Sequence, residues 1–152
     1  MCNYNKSFFL ALGKVPFLVY IKSKPGKYGI KVWCCSCVDC QYICNLQVYT
    51  GKKDAKPEKG QGERVVMDLM TPYVDSWREL TTDNFFTSLD VSNELFELKT
   101  TFTGTVRSNK PDLPPSFATS KGRDPNSVLV GYNGVNALTS FIDGKKKNLL
   151  SS

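Results

Sequence analysis

Five of the six cysteines crowd into one short stretch, at Cys34, Cys35, Cys37, Cys40 and Cys44. Thiolates so placed could hold tetrahedral zinc, and Cys37-Val38-Asp39-Cys40 is a CxxC, one half of a zinc knuckle. Zinc needs a second ligand pair. Cys34 and Cys35 are adjacent, so an extended chain sends their side chains to opposite sides, yet one of them with Cys44 could complete a four-thiolate site. The preferred reading is two neighbouring strands carrying buried, reduced thiols and joined by a turn near Val38-Asp39, because buried free cysteine behaves as a small hydrophobe. The chain contains no histidine. That removes Ser-His-Asp and Cys-His catalysis and every His-ligated metal site.

The elements that would carry these residues follow from local pattern. Phe17 to Ile21 is a continuous apolar run, expected to be a buried strand. Ser23 to Lys27 holds Pro25 and Gly26 and reads as a turn. Tyr28 to Trp33 alternates, and Tyr42 to Tyr49 reads as its antiparallel partner across the cysteine turn, which predicts a three-stranded meander. Thr50 to Glu63 is a polar surface loop. Val65, Val66, Leu69 and Met70 recur at helical spacing over Glu63 to Met70, ended by Pro72. A weak strand over Arg78 to Thr82 leads to Asp83, whose carboxylate could cap the Asn84-Phe85-Phe86 segment. A second helix is expected from Asp90 to Leu98, with Ser88 and Asp90 as caps. Thr101 to Arg107 is rich in β-branched residues, and Lys110 to Asn126 is a proline-punctuated loop. Ser127 to Tyr132 and Ala137 to Ile142 flank Asn133-Gly134, a strong hairpin signal. Lys145 to Lys147 reads as a turn before a strand from Asn148. The order β-β-β-α-β-α-β is an α/β mixture with an antiparallel start.

Twenty Lys and Arg against 14 Asp and Glu give a net charge of +6, which suits a polyanionic partner without requiring one. Lys14 and Pro16 interrupt the apolar residues near the N-terminus, so the run of about 7–15 that a secretory signal needs is absent. No stretch approaches the roughly 20 apolar residues of a membrane span. The expectation is an intracellular, soluble protein that is not secreted and has no membrane partner.

Six runs together resemble the piggyBac family of transposases. They are Tyr20 to Trp33, Gln47-Val48-Tyr49-Thr50-Gly51, Gly62-Glu63-Arg64-Val65-Val66, Thr82 to Ser88, Gly104 to Lys110, and the terminal Leu149-Leu150-Ser151-Ser152. They follow the family's order at near-family spacing. The resemblance implies an RNase H-like mixed sheet over residues 1–110, truncated before the last core helix, with the start of a β-rich insertion over 111–152. In such a fold three Asp residues hold two divalent metals, one activating the attacking hydroxyl and the other stabilising the leaving oxygen of a phosphodiester.

Carried over by position, the family's second Asp matches Asp83, the one metal ligand expected here. The first falls on Asn5 and the Glu that follows it on Lys6, and no Asp or Glu occurs before Asp39 to restore the charge. The third lies beyond Ser152. One carboxylate cannot hold two metals, so no stably bound cofactor is expected, with Mg²⁺ the ion of any remaining activity. The implied function is a catalytically inactive, transposase-derived nuclear protein that binds DNA or a nuclear partner. Its expected phosphate contacts are Arg107, Lys110, Lys22, Lys24, Lys27 and Lys31. The alternatives are a metal-dependent strand transferase or nuclease completed in trans by a full-length relative, a zinc module, and a decayed gene fragment with no selected function.

Overall fold

The computed structural model describes residues 2–10, 15–22, 25–51, 58–143 and 145–152, with the backbone alone described for 2–10, 143 and 145–147. Lys24, and the part of the polar loop over 52–57, lie outside the described residues.

Strand β1 (Cys2–Leu10) pairs antiparallel with β3 (Tyr28–Cys37), which pairs antiparallel with β4 (Ile43–Val48). The expected meander is therefore present, but its first strand is not the one foreseen. The Phe17 to Ile21 run contributes only a two-residue β2 (Val19–Tyr20), paired with Tyr28 and Gly29. Pro16 and Phe17 lie in a turn that the Leu18 N–H closes on the Val15 carbonyl at 3.3 Å. Proline has no N–H to give a ladder, which ends strand pairing there. Cys2 to Leu10 lacks period-two alternation, so sequence pattern alone did not mark it as a strand.

On its other side β1 runs parallel to β5 (Arg78–Thr82), through Cys2 opposite Leu80 and Asn3 opposite Thr81. β5 is parallel to β6 (Thr100–Thr105). β6 then pairs antiparallel with β9 (Lys145–Ser151), and β8 (Asn136–Asp143) and β7 (Val128–Asn133) complete one continuous sheet. The segment after residue 110 is thus tied to the rest by a ladder, Thr103–Thr105 against Leu149–Ser151. The Asn133-Gly134 hairpin forms as expected, with Gly134 at φ 60°. β9 begins at Lys145, where a turn was expected, because Lys145 to Lys147 continue the ladder with β8. The proline-rich loop contains one short helix, α3 (Pro115–Ala118), started by Pro115 at a position where its missing N–H costs nothing.

The two longer helices are α1 (Gln61–Met70) and α2 (Leu89–Glu97). α1 buries Val65, Val66, Leu69 and Met70, and α2 buries Val91 and Leu95, against Trp33, Cys35, Leu80, Phe102 and Leu150 of the sheet. Each such side chain removed from water is worth about 1.5–3 kcal/mol. β4 is fastened to α1 by polar contacts: Asn45 Nδ2 donates to the Leu69 carbonyl at 3.1 Å and Gln47 Nε2 to Asp68 at 3.1 Å. Cys34 and Cys35 are both buried, as the thiol reading requires, whereas Cys37 and Cys44 are half-buried and Cys40 is exposed, because β3 ends at Cys37 and the chain turns outward over Val38 to Cys40.

Ser88 is the N-cap of α2: its Oγ accepts the Val91 N–H at 3.2 Å. Ser88→Ala leaves that buried donor without a partner and is expected to cost about 1 kcal/mol in urea unfolding. A loss below about 0.3 kcal/mol would show that the cap contributes nothing.

Candidate metal and nucleic-acid site

Asp83 is the first residue past β5, and its carboxylate stands exposed where the strand stops. Its Oδ1 accepts the Phe85 N–H at 2.8 Å, while its carbonyl accepts the Phe86 N–H at 3.2 Å and the Thr87 hydroxyl at 2.8 Å. Asp83 thus closes the Asn84-Phe85-Phe86 turn, which is the capping role. The turn is anchored from beneath. Thr82 and Thr87 hydroxyls meet at 2.9 Å in the core, over Gly104, whose missing side chain leaves them room. Phe86 is buried, and Phe85 packs edge-on against it at 5.0 Å.

The other carried-over position lies on the strand beside β5. Asn3 pairs with Thr81, so two residues further along each strand the chain reaches Asn5 on β1 and Asp83 after β5. Asn5 is flanked on its other side by Cys34 of β3. The position matched to the family's first Asp therefore lies on β1, the strand beside the one that leads to Asp83. Among the described residues no group of three His, Cys, Asp or Glu is arranged to hold a metal ion.

The cations divide into three groups. Arg107, exposed just past β6, donates from Nε to Asn84 Oδ1 at 2.8 Å, which brings its guanidinium to the Asp83 turn. Lys110 follows in a turn closed by its N–H on the Arg107 carbonyl at 3.2 Å, and it lines a hollow with Gly62, Phe85, Phe86 and Thr87. Lys22 and Lys27 are exposed on the β2–β3 connection. Lys31 is held differently. Its ammonium lies 4.6 Å from the Trp33 ring, 4.9 Å from Tyr49 and 5.3 Å from Phe85, an aromatic enclosure that satisfies a cation in place.

Two residues that sequence reasoning did not single out shape this site. Asn84 orients Arg107, and Gly104 admits the Thr82–Thr87 contact. Both lie inside the runs quoted above, where only tertiary contacts reveal what they do. Arg64, in another of those runs, is structural: it bonds Glu58 and, one helical turn on, Asp68 at 2.5 Å. The Glu58 hydrogen bond, followed by that of Asp68, holds its guanidinium above the ordinary range.

A family model described as Transposase IS4 matches residues 4–152. PiggyBac transposable element-derived protein 3 of Homo sapiens is 33% identical over 102 residues, covering 63% of this chain. The chain belongs to the piggyBac transposase family. The chimeric ERCC6-PGBD3 protein of Homo sapiens matches to the same extent. A piggyBac transposase solved by cryo-EM as a synaptic complex with hairpin DNA superposes over 99% of the chain with a TM-score of 0.89 and 32% identity. The chain spans 17% and 9% of the two human proteins and 32% of the solved piggyBac chain.

Proposed function

We propose that this piggyBac-family chain binds DNA through the β5–β6 end of its sheet and does not cut it. The observation that carries the reading is the company of Asp83. The strand beside β5 carries an amide, Asn5, at the position matched to the family's first Asp, and Asn84 of the Asp83 turn holds a guanidinium, Arg107. A two-metal centre needs several anionic oxygens around the ions. Among the described residues no cluster of His, Cys, Asp or Glu is arranged for a metal ion, so the balance of charge here favours a phosphate over a Mg²⁺ pair. The strand order β4-β3-β1-β5-β6, antiparallel and then parallel, supports an RNase H-like core for this site. The solved relative's hairpin DNA supports a nucleic-acid partner, and with it a nuclear location.

The test is a gel-shift titration on duplex DNA across a salt series. Affinity should fall steeply with salt, and Arg107→Ala should lower the slope of log affinity against log salt by about one. No salt-sensitive binding at low ionic strength would sink the proposal. Mg²⁺-dependent nicking by the purified chain, lost in Asp83→Ala, would overturn its second half.

A further inference from the structure

The cysteines left outside that function are not all alike. Cys34 and Cys35 are sealed in the sheet, and the Cys44 thiol donates to the Tyr42 carbonyl at 3.7 Å. Cys37 and Cys40 stand at the tip of the β3–β4 hairpin. Cys37 ends β3, its N–H donates to the Tyr42 carbonyl at 2.9 Å, and Val38 to Cys40 form the turn that this bond closes. Gln41, at φ 57°, takes the left-handed residue that lets the chain re-enter β4. A tight turn brings its first and fourth Cα atoms within about 7 Å, and a disulfide needs about 4.4–6.8 Å. Cys37 and Cys40 are the first and fourth residues of that turn, so both lie at one hairpin tip. Cys40 is exposed and Cys37 half-buried, which admits a small reagent to both.

We propose that Cys37 and Cys40 are a redox-modifiable dithiol, closed to a disulfide by a low-molecular-weight disulfide such as oxidised glutathione. The Cys37 thiolate attacks one glutathione sulfur, breaking that S–S bond and releasing one glutathione thiolate. Cys40, deprotonated, then attacks the Cys37 sulfur and releases the second. Two protein thiols are oxidised, one glutathione disulfide is reduced, and the two thiol protons go to the two released thiolates. Cys37 is suited to the first attack. The Cys40 N–H, then the Cys40 thiol, then the Asp39 N–H hold it below the ordinary thiol range, against the opposing Asp39 charge.

The experiment equilibrates the reduced, full chain in glutathione buffers of increasing oxidised fraction and reads intact mass after acid quench. The expected product lacks two hydrogens and carries no glutathione. Cys40→Ser should instead retain one glutathione on Cys37, and Cys37→Ser should react at Cys40 at least about tenfold more slowly. A chain that stays fully reduced in the most oxidising buffer would overturn the proposal. So would loss of two hydrogens that persists in Cys40→Ser, which would assign the bond to other cysteines, such as Cys2, opposite Cys37 in the β1–β3 ladder, or Cys44. Stoichiometric zinc that shields Cys37 and Cys40 from alkylation would overturn it equally.

Discussion

Phe86→Ala should destabilise the chain by about 3–5 kcal/mol, the range for emptying a buried phenylalanine site. Phe86 is 1% exposed and packs with the α1, α2 and sheet side chains of the one core. Nothing replaces its volume, because Phe85 beside it is committed to an edge-on contact and to the Lys31 ammonium. Total stability of a domain is typically about 5–15 kcal/mol, so the loss would be a large fraction of it. Urea unfolding followed by tryptophan fluorescence reads this directly. A loss under about 1 kcal/mol would mean that the Asp83 turn is not supported from the core, and the site geometry would fall with it.

Gly62→Ala is the second large effect, and there the sign is the test. In an ordinary helix interior the change is favourable by up to about 1 kcal/mol. Gly62 lies in the first turn of α1, and a Cβ there would collide with the Phe85 carbonyl oxygen and sit 3.3 Å from its carbon. Both are backbone atoms, so relief requires moving the helix or the Asp83 turn. Overpacking of this kind costs about 1–3 kcal/mol, which outweighs the propensity gain. The expected outcome is a lower urea midpoint together with weaker DNA binding, since the displaced turn carries Asn84 and hence Arg107. A higher midpoint would show that α1 and the turn are not in contact.

What the sequence revealed about this site depended on how local the determining contacts are. α1 and α2 were legible because Val65, Val66, Leu69 and Met70, and Val91 and Leu95, repeat with the helical period between a proline stop and a serine cap. The β7–β8 hairpin was legible from Asn133-Gly134. β1 was not, since Cys2 to Leu10 shows no alternation and pairs with strands far away in sequence. Asp83 was legible only through the run around it, and that the strand carrying Asn5 runs beside β5 emerged only from the β1–β5 pairing. The Lys31 enclosure draws rings from β3, from Tyr49 beyond β4 and from the Asp83 turn, so no sequence window contains it.

The ladder between β1 and β5 also bears on the order in which the chain can fold. The β3–β4, β7–β8 and β8–β9 pairings join near neighbours and can close within microseconds, about the time of an isolated hairpin. The centre of the sheet joins Cys2 to Leu80, and β6 to β9 joins Thr103 to Ser151. Those closures must overcome much more chain entropy before any contact rewards them. During synthesis β1 and β3 therefore wait with an open inner edge until the ribosome has delivered β5. That interval, rather than the finished native state, is when the polypeptide is most exposed to mispairing with another nascent copy.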